Sequence, residues 1–165
     1  VANEPEPDRA GMGRFVERVC RLDAAGHLKA MLAEHRGLVR TILEDEWLSR
    51  WFWQDRTDER ARKQRKSWYD AQTWYLEGKS DRILDRVLER IYLQRCQLVH
   101  GAATHGSRVN RMSLGRCRTM LTHIVAATLL VIIDHGAEED WGPLCYPPTD
   151  DIAAAGDAPG RPPAL

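Results

Sequence analysis

The residues best placed to do chemistry in this 165-residue chain are Arg95 and His100. Periodicity predicts a helix capped by Ser80, running to His100 and stopped by Gly101. Its apolar stripe is Leu84, Val87, Leu88, Ile91 and Leu98, and Arg95 falls inside it. A guanidinium buried without a partner is costly, so Arg95 must snorkel, pair, or face a polar cleft. His100 lies about 140° around the helix from Arg95 and about 7.5 Å along it. The two side chains therefore do not stack on one another within one chain. They could serve one substrate if a ligand bridged them, or if two copies of the helix met across a two-fold axis. A guanidinium can hold negative charge and an imidazole moves protons near neutrality, so such a pair could do acid–base work on an anionic substrate; a snorkelling Arg95 and a capping or solvated His100 are the competing reading.

Other residues near the pair widen the candidate set. Cys96 shares a helical face with His100 at i+4, and a cationic neighbour can activate a thiol, but no third orienting group is evident. Residues 102–111 read as a polar connection on which Arg108, Asn110 and Arg111 are placed to hold phosphates. His105 on the same connection is a candidate second acid or base. Ordinary solvated loop residues are the competing reading of all four.

No metal or cofactor is expected. Cys20, Cys96, Cys117 and Cys145 are widely spaced, with no CxxC and no close Cys/His cluster. No basic segment followed by an apolar one opens the chain, so no secretory signal is expected and the cysteines read as reduced thiols in a cytoplasmic protein. The longest apolar stretch, residues 119–133, includes His123 and reads as too short to cross a bilayer as a helix.

The elements that must position the pair all read as helical. No stretch alternates with period two, and the expected fold is an all-α bundle of about five helices with an irregular docking segment near the C-terminus. Residues 1–11 read as a disordered leader, 12–148 as the helical domain and 149–165 as a flexible tail. The first helix is predicted from Gly13 to Ala25, and a second carries Leu28 to Leu43 with a break at Gly37. Trp47, Leu48, Trp51, Phe52 and Trp53 read as core aromatics and their neighbours. A helix capped by Thr57 runs to about Gly78, charged at its start and buried at its end. From Met112 to Gly136 a helix apolar around nearly its whole circumference should be central or interfacial. Trp141 and its followers should dock by their aromatics.

Net charge is zero, but residues 82–118 carry eight arginines against Asp85 and Glu89, while residues 134–165 carry seven acids against Arg161. A basic middle is a footprint for a phosphate-bearing ligand; ordinary solvated helix faces are the alternative.

Residues 92–101 (YLQRCQLVHG) resemble the motif of HEPN domains, whose usual form is Arg-Asn-x-x-x-His. Residues 102–111 (AATHGSRVNR) and 141–147 (WGPLCYP) are similar to a bacterial group of stand-alone HEPN-like proteins, and the likeness spans residues 12–148. The resemblance implies a compact helical bundle that forms a homodimer and brings two motifs into one cleft. It also implies a metal-independent ribonuclease with RNA as substrate, in a toxin–antitoxin, anti-phage or RNA-processing setting with a cognate antitoxin or other protein partner. Arg95 and His100 are the residues that carry over. Cys96 stands where the usual motif has Asn, and Ala102 where some HEPN toxins carry Tyr. The alternative is a non-catalytic module that dimerises and binds a nucleotide, RNA or protein.

Overall fold

A computed structural model describes residues 8–49, 58–99 and 111–141. Six α-helices and one 3₁₀ turn make up these residues, with no strand among them: α1 (Asp8–Leu22), α2 (His27–Glu34), α3 (Arg36–Leu43), the turn Glu46–Leu48, α4 (Asp58–Glu77), α5 (Ser80–Val99) and α6 (Arg111–His135). The expected all-α bundle is thus the architecture found.

Local chemistry sets the joints. Gly26, at φ 78°, turns the chain into α2, and the Asp23 carboxylate accepts from the His27, Leu28 and Lys29 amides at 2.6, 2.9 and 3.4 Å. That carboxylate takes the place of an N-cap side chain, which Gly26 lacks. α4 ends at Gly78, φ 69°, with Gly78 N–H donating to the Tyr75 carbonyl and Lys79 N–H to the Trp74 carbonyl. This is the paired C-terminal closure that a left-handed residue permits. The break between α2 and α3 falls at His35, φ −98° and ψ 24°, and not at Gly37, which sits inside α3. α1 begins at Asp8, inside the segment expected to be a disordered leader, and stops at Leu22, short of the predicted Ala25.

α5 is packed by every other helix and by the 3₁₀ turn, so it is the central element. Ile83, Leu84 and Val87 of α5 join Leu28, Leu32, Val39, Ile42 and Leu43 in one core. α6 contributes Cys117, Met120, Ile124, Ala127 and Val131, a seven-residue repeat along one face. Its opposite faces are not covered: Leu121, Val125, Leu129, Leu130 and Ile133 are exposed. The helix expected to be central or interfacial thus packs on α1, α2, α3 and α5 and leaves an apolar outer surface uncovered.

One expectation needs correction. The apolar segment read as too short to cross a bilayer belongs to the 25-residue α6, which is long and apolar enough to span one by length and composition, with mean hydropathy 1.6 and 28% of the apolar window buried.

Beyond α6 the chain folds back. The Trp141 indole donates to the Gly136 carbonyl at 2.9 Å, packs 6.2 Å from the Phe15 ring and lies under the Arg18 guanidinium. The expected aromatic docking holds for Trp141; residues 142–148 lie outside the described residues, as do Trp51, Phe52, Trp53 and Thr57. Along α4, Trp68 is buried and Trp74 and Tyr75 half-buried, but Leu76 is exposed.

Candidate functional site: a groove between α5 and α6

Sequence periodicity places the buried stripe of α5 on Leu84, Val87, Leu88, Ile91 and Leu98. The structure buries Leu84 and Val87 of that stripe and packs Leu88 and Ile91 against the core, but it also buries Ile83, Arg90, Gln94 and Gln97 and exposes Leu98, so the buried face is turned by roughly a fifth of a revolution. Polar contacts cause the rotation. The Arg90 guanidinium donates to the Leu48 carbonyl and the Gln97 amide to the Trp47 carbonyl, each at 2.6 Å. From the other side, the buried Asp45 carboxylate accepts from Ser113 at 2.6 Å and from the Trp47 amide at 3.1 Å, with Arg116 3.5 Å away. The 46–48 turn is thus clamped by α5 and α6, and its carbonyls satisfy side chains that periodicity alone would place in water.

That rotation frees the rest of the apolar stripe to line a groove. Ile91, Arg95 and Leu98 of α5 face Leu114, Arg118, Leu121 and Val125 of α6, with Gln94, Cys117 and Thr122 completing a space of about 500 Å³. Leu98 is 45% exposed and Val99, just beyond, 62%. Arg95 is exposed, its guanidinium 5.9 Å from the centre of the Tyr92 ring. It therefore keeps its charge in water at the edge of an apolar wall. Arg118 lies across the groove, and neither guanidinium is in an ion pair among the described residues.

Two further groups line this space. Gln94 is 2% exposed, and neither its amide nitrogen nor its oxygen has a hydrogen-bond partner. A buried amide left so costs about 1–3 kcal/mol per unsatisfied group. Burial, reinforced by the Asp45 charge, pushes the Cys117 thiol up from 9.0 to about 12, against the opposing pull of Arg116. Cys117 thus stays a neutral thiol at physiological pH and is no nucleophile.

Of the residues singled out by sequence, the structure brings Arg95 to the groove and places Cys96 half-buried beside it in α5. Arg111 is exposed and opens α6, at the same end of the α5–α6 pair where Val99 closes α5. His100, His105, Arg108 and Asn110 lie outside the described residues. No group of three or more metal-ligating side chains exists among the described residues. Arg118 and Gln94 were missed. Arg118 carried the same signal as Arg95, a cation inside an apolar helical stripe, between Leu114 and Leu121. No family model, curated protein or solved structure matches the chain.

Proposed function

We propose that this chain is a metal-independent RNA endonuclease acting as a homodimer of HEPN type, with Arg95 and His100 as its catalytic pair. The observation that carries the reading is Arg95 itself: exposed, without an acidic partner among the described residues, and faced by Arg118 across an apolar groove. Two exposed cations beside an apolar wall, in no ion pair among the described residues, suit a phosphodiester better than they suit packing. The resemblance of residues 92–101 to the HEPN motif supplies the chemistry.

In this mechanism the ribose 2′-oxygen attacks phosphorus as an imidazole of His100 accepts its proton. The bond from phosphorus to the 5′-oxygen breaks, and that oxygen takes a proton from the second copy's imidazole. Arg95 holds the charge that builds on the equatorial oxygens. The products are a 2′,3′-cyclic phosphate and a 5′-hydroxyl, and DNA, lacking the nucleophile, survives.

The second copy would cover the outer face of α6. Met112, Gly115, Thr119, Ala126, Leu129 and Ile133 are all exposed there, with small residues in the middle where two helices can approach closely. This face borders the groove without filling it. Replacement of the usual motif Asn by Cys96 favours the second reading, a dimeric module that binds RNA without cutting it.

Single-stranded RNA incubated with the protein and EDTA separates the two. Cleavage to cyclic phosphate ends, abolished in Arg95→Ala and His100→Ala, is the expected result. Loss of cleavage with EDTA, or full cleavage by His100→Ala, overturns the assignment; RNA bound and left intact selects the module.

A further inference from the structure

We propose that the groove between α5 and α6 binds a free long-chain fatty-acid anion, its chain laid along the apolar wall and its carboxylate held by Arg95 and Arg118. The site goes beyond the nuclease reading and does not rest on it. Both guanidiniums are exposed at the rim, one from each helix, and neither is in an ion pair among the described residues. The planar fork of a guanidinium engages a carboxylate through two parallel hydrogen bonds. Beside these cations the wall is Ile91, Leu98, Leu114, Leu121 and Val125. Its other polar side chains are already used or out of reach. The Thr122 hydroxyl donates to the Arg118 carbonyl at 3.1 Å, and the Gln94 amide is sealed beneath the wall with almost no accessible surface. Cys117 is buried as well. The groove thus asks for a ligand that is anionic at its head and hydrocarbon over the rest.

Size decides which occupant fits. From Leu114 to Val125 the helix rises about 16 Å. The space is about 500 Å³, within the range of small-molecule sites. A docked helix, about 10 Å across, displaces about 1,200 Å³ over that length, so most of it would stand outside. A single acyl chain is about 4–5 Å across at carbon–carbon contact distance and fills about 300 Å³, which leaves room for the head. Two chains side by side, as in a membrane phospholipid, need about 600 Å³ and do not fit. At about 1.3 Å of advance per carbon, about twelve to fourteen carbons span the wall.

The test is calorimetric titration of the full chain with the even-numbered acids from octanoate to hexadecanoate, each below its micelle-forming concentration. Affinity should rise about tenfold for each two carbons added and level off near tetradecanoate, where the wall ends. Dodecanol, which lacks the charge, should bind at least about tenfold weaker than dodecanoate. Arg95→Gln and Arg118→Gln should each weaken dodecanoate about fivefold and leave dodecanol unchanged. Neither should alter the melting temperature of the free protein, since both side chains are exposed. Leu121→Gln should weaken acid and alcohol alike. Dodecanol binding as tightly as dodecanoate, acetate binding as tightly as either, or affinity climbing undiminished to hexadecanoate overturns the site. Binding to anionic phospholipid vesicles without binding to free dodecanoate, or no binding at all, overturns it equally. No RNA is present in these titrations, so they report on the groove and leave the nuclease to its own assay.

Discussion

The two ends of the α5–α6 pair are built on opposite plans. Where α5 begins and α6 finishes, charges meet their opposites: Arg9 meets Asp85 at 2.8 Å, Arg21 meets Glu139 at 2.6 Å, and His27 meets Asp134 at 2.8 Å. Trp141 closes over Phe15 at the same end. Where α5 finishes and α6 begins, Arg95, Arg111 and Arg118 are in no ion pair among the described residues, and an amide lies buried and unanswered. One end holds the bundle together; the other keeps its polar groups for something outside it.

The contrast can be broken by experiment, and the largest effect should come from the unpaired end. Arg95→Ala should lower kcat/KM for RNA by about a hundredfold or more with an unchanged melting temperature, since a lone exposed guanidinium supports transition-state charge and little of the fold. A matching loss of stability would show that Arg95 is structural. Ala126→Glu, on the outer face of α6, should leave the monomer folded and shift sedimentation from dimer to monomer, with cleavage lost in parallel. A monomeric wild-type protein would end the two-copy reading at once.

The clamp between the ends should respond in stability. Asp45→Ala leaves the Ser113 hydroxyl and the Trp47 amide without their acceptor, and should cost about 2–4 kcal/mol in denaturant unfolding. Alkaline pH should act more gently. Burial pushes Cys20 and Cys117 from 9.0 to about 12 and Tyr75 from 10.0 to about 12. The unfolded chain then releases these protons first, so stability is complete below pH 9 and declines as pH rises from 9 to about 12. Melting curves across that window should show the decline, and Cys117→Ala should shallow it. The smallest effect belongs to the paired end: Arg21→Gln removes an exposed ion pair to Glu139 and should change stability by less than about 1 kcal/mol.

How far the sequence could be read follows the same division. Helix ends marked by residues with special backbone or capping chemistry were legible: Ser80 opens α5, Gly78 closes α4, and Gly136 follows α6. The end of the leader was not, because Asp8 to Gly13 is polar and glycine-containing and turns helical only by continuing α1. The α2–α3 break was assigned to Gly37 on conformational freedom, whereas the chain bends at His35, whose ring stacks on His123 of α6 at 3.8 Å. Inter-helix contacts of this kind leave no local pattern. The same holds for the buried face of α5. An apolar stripe records which residues avoid water, but Arg90 and Gln97 are buried because carbonyls from the 46–48 turn await them, 42 and 50 residues earlier in the chain. Arg95 was legible as a cation out of place in that stripe. Gln94, next to it, was not, because an amide among polar neighbours looks ordinary until its surroundings are known.

Cys117 gives the groove a built-in chemical clock. Its sulfur lines the space yet is 2% exposed and held protonated, so a maleimide can reach it only when α5 and α6 part. The rate of its alkylation, followed peptide by peptide in the mass spectrometer, therefore times the breathing of those two helices in the native protein, and any occupant that fastens them together should make it run slow.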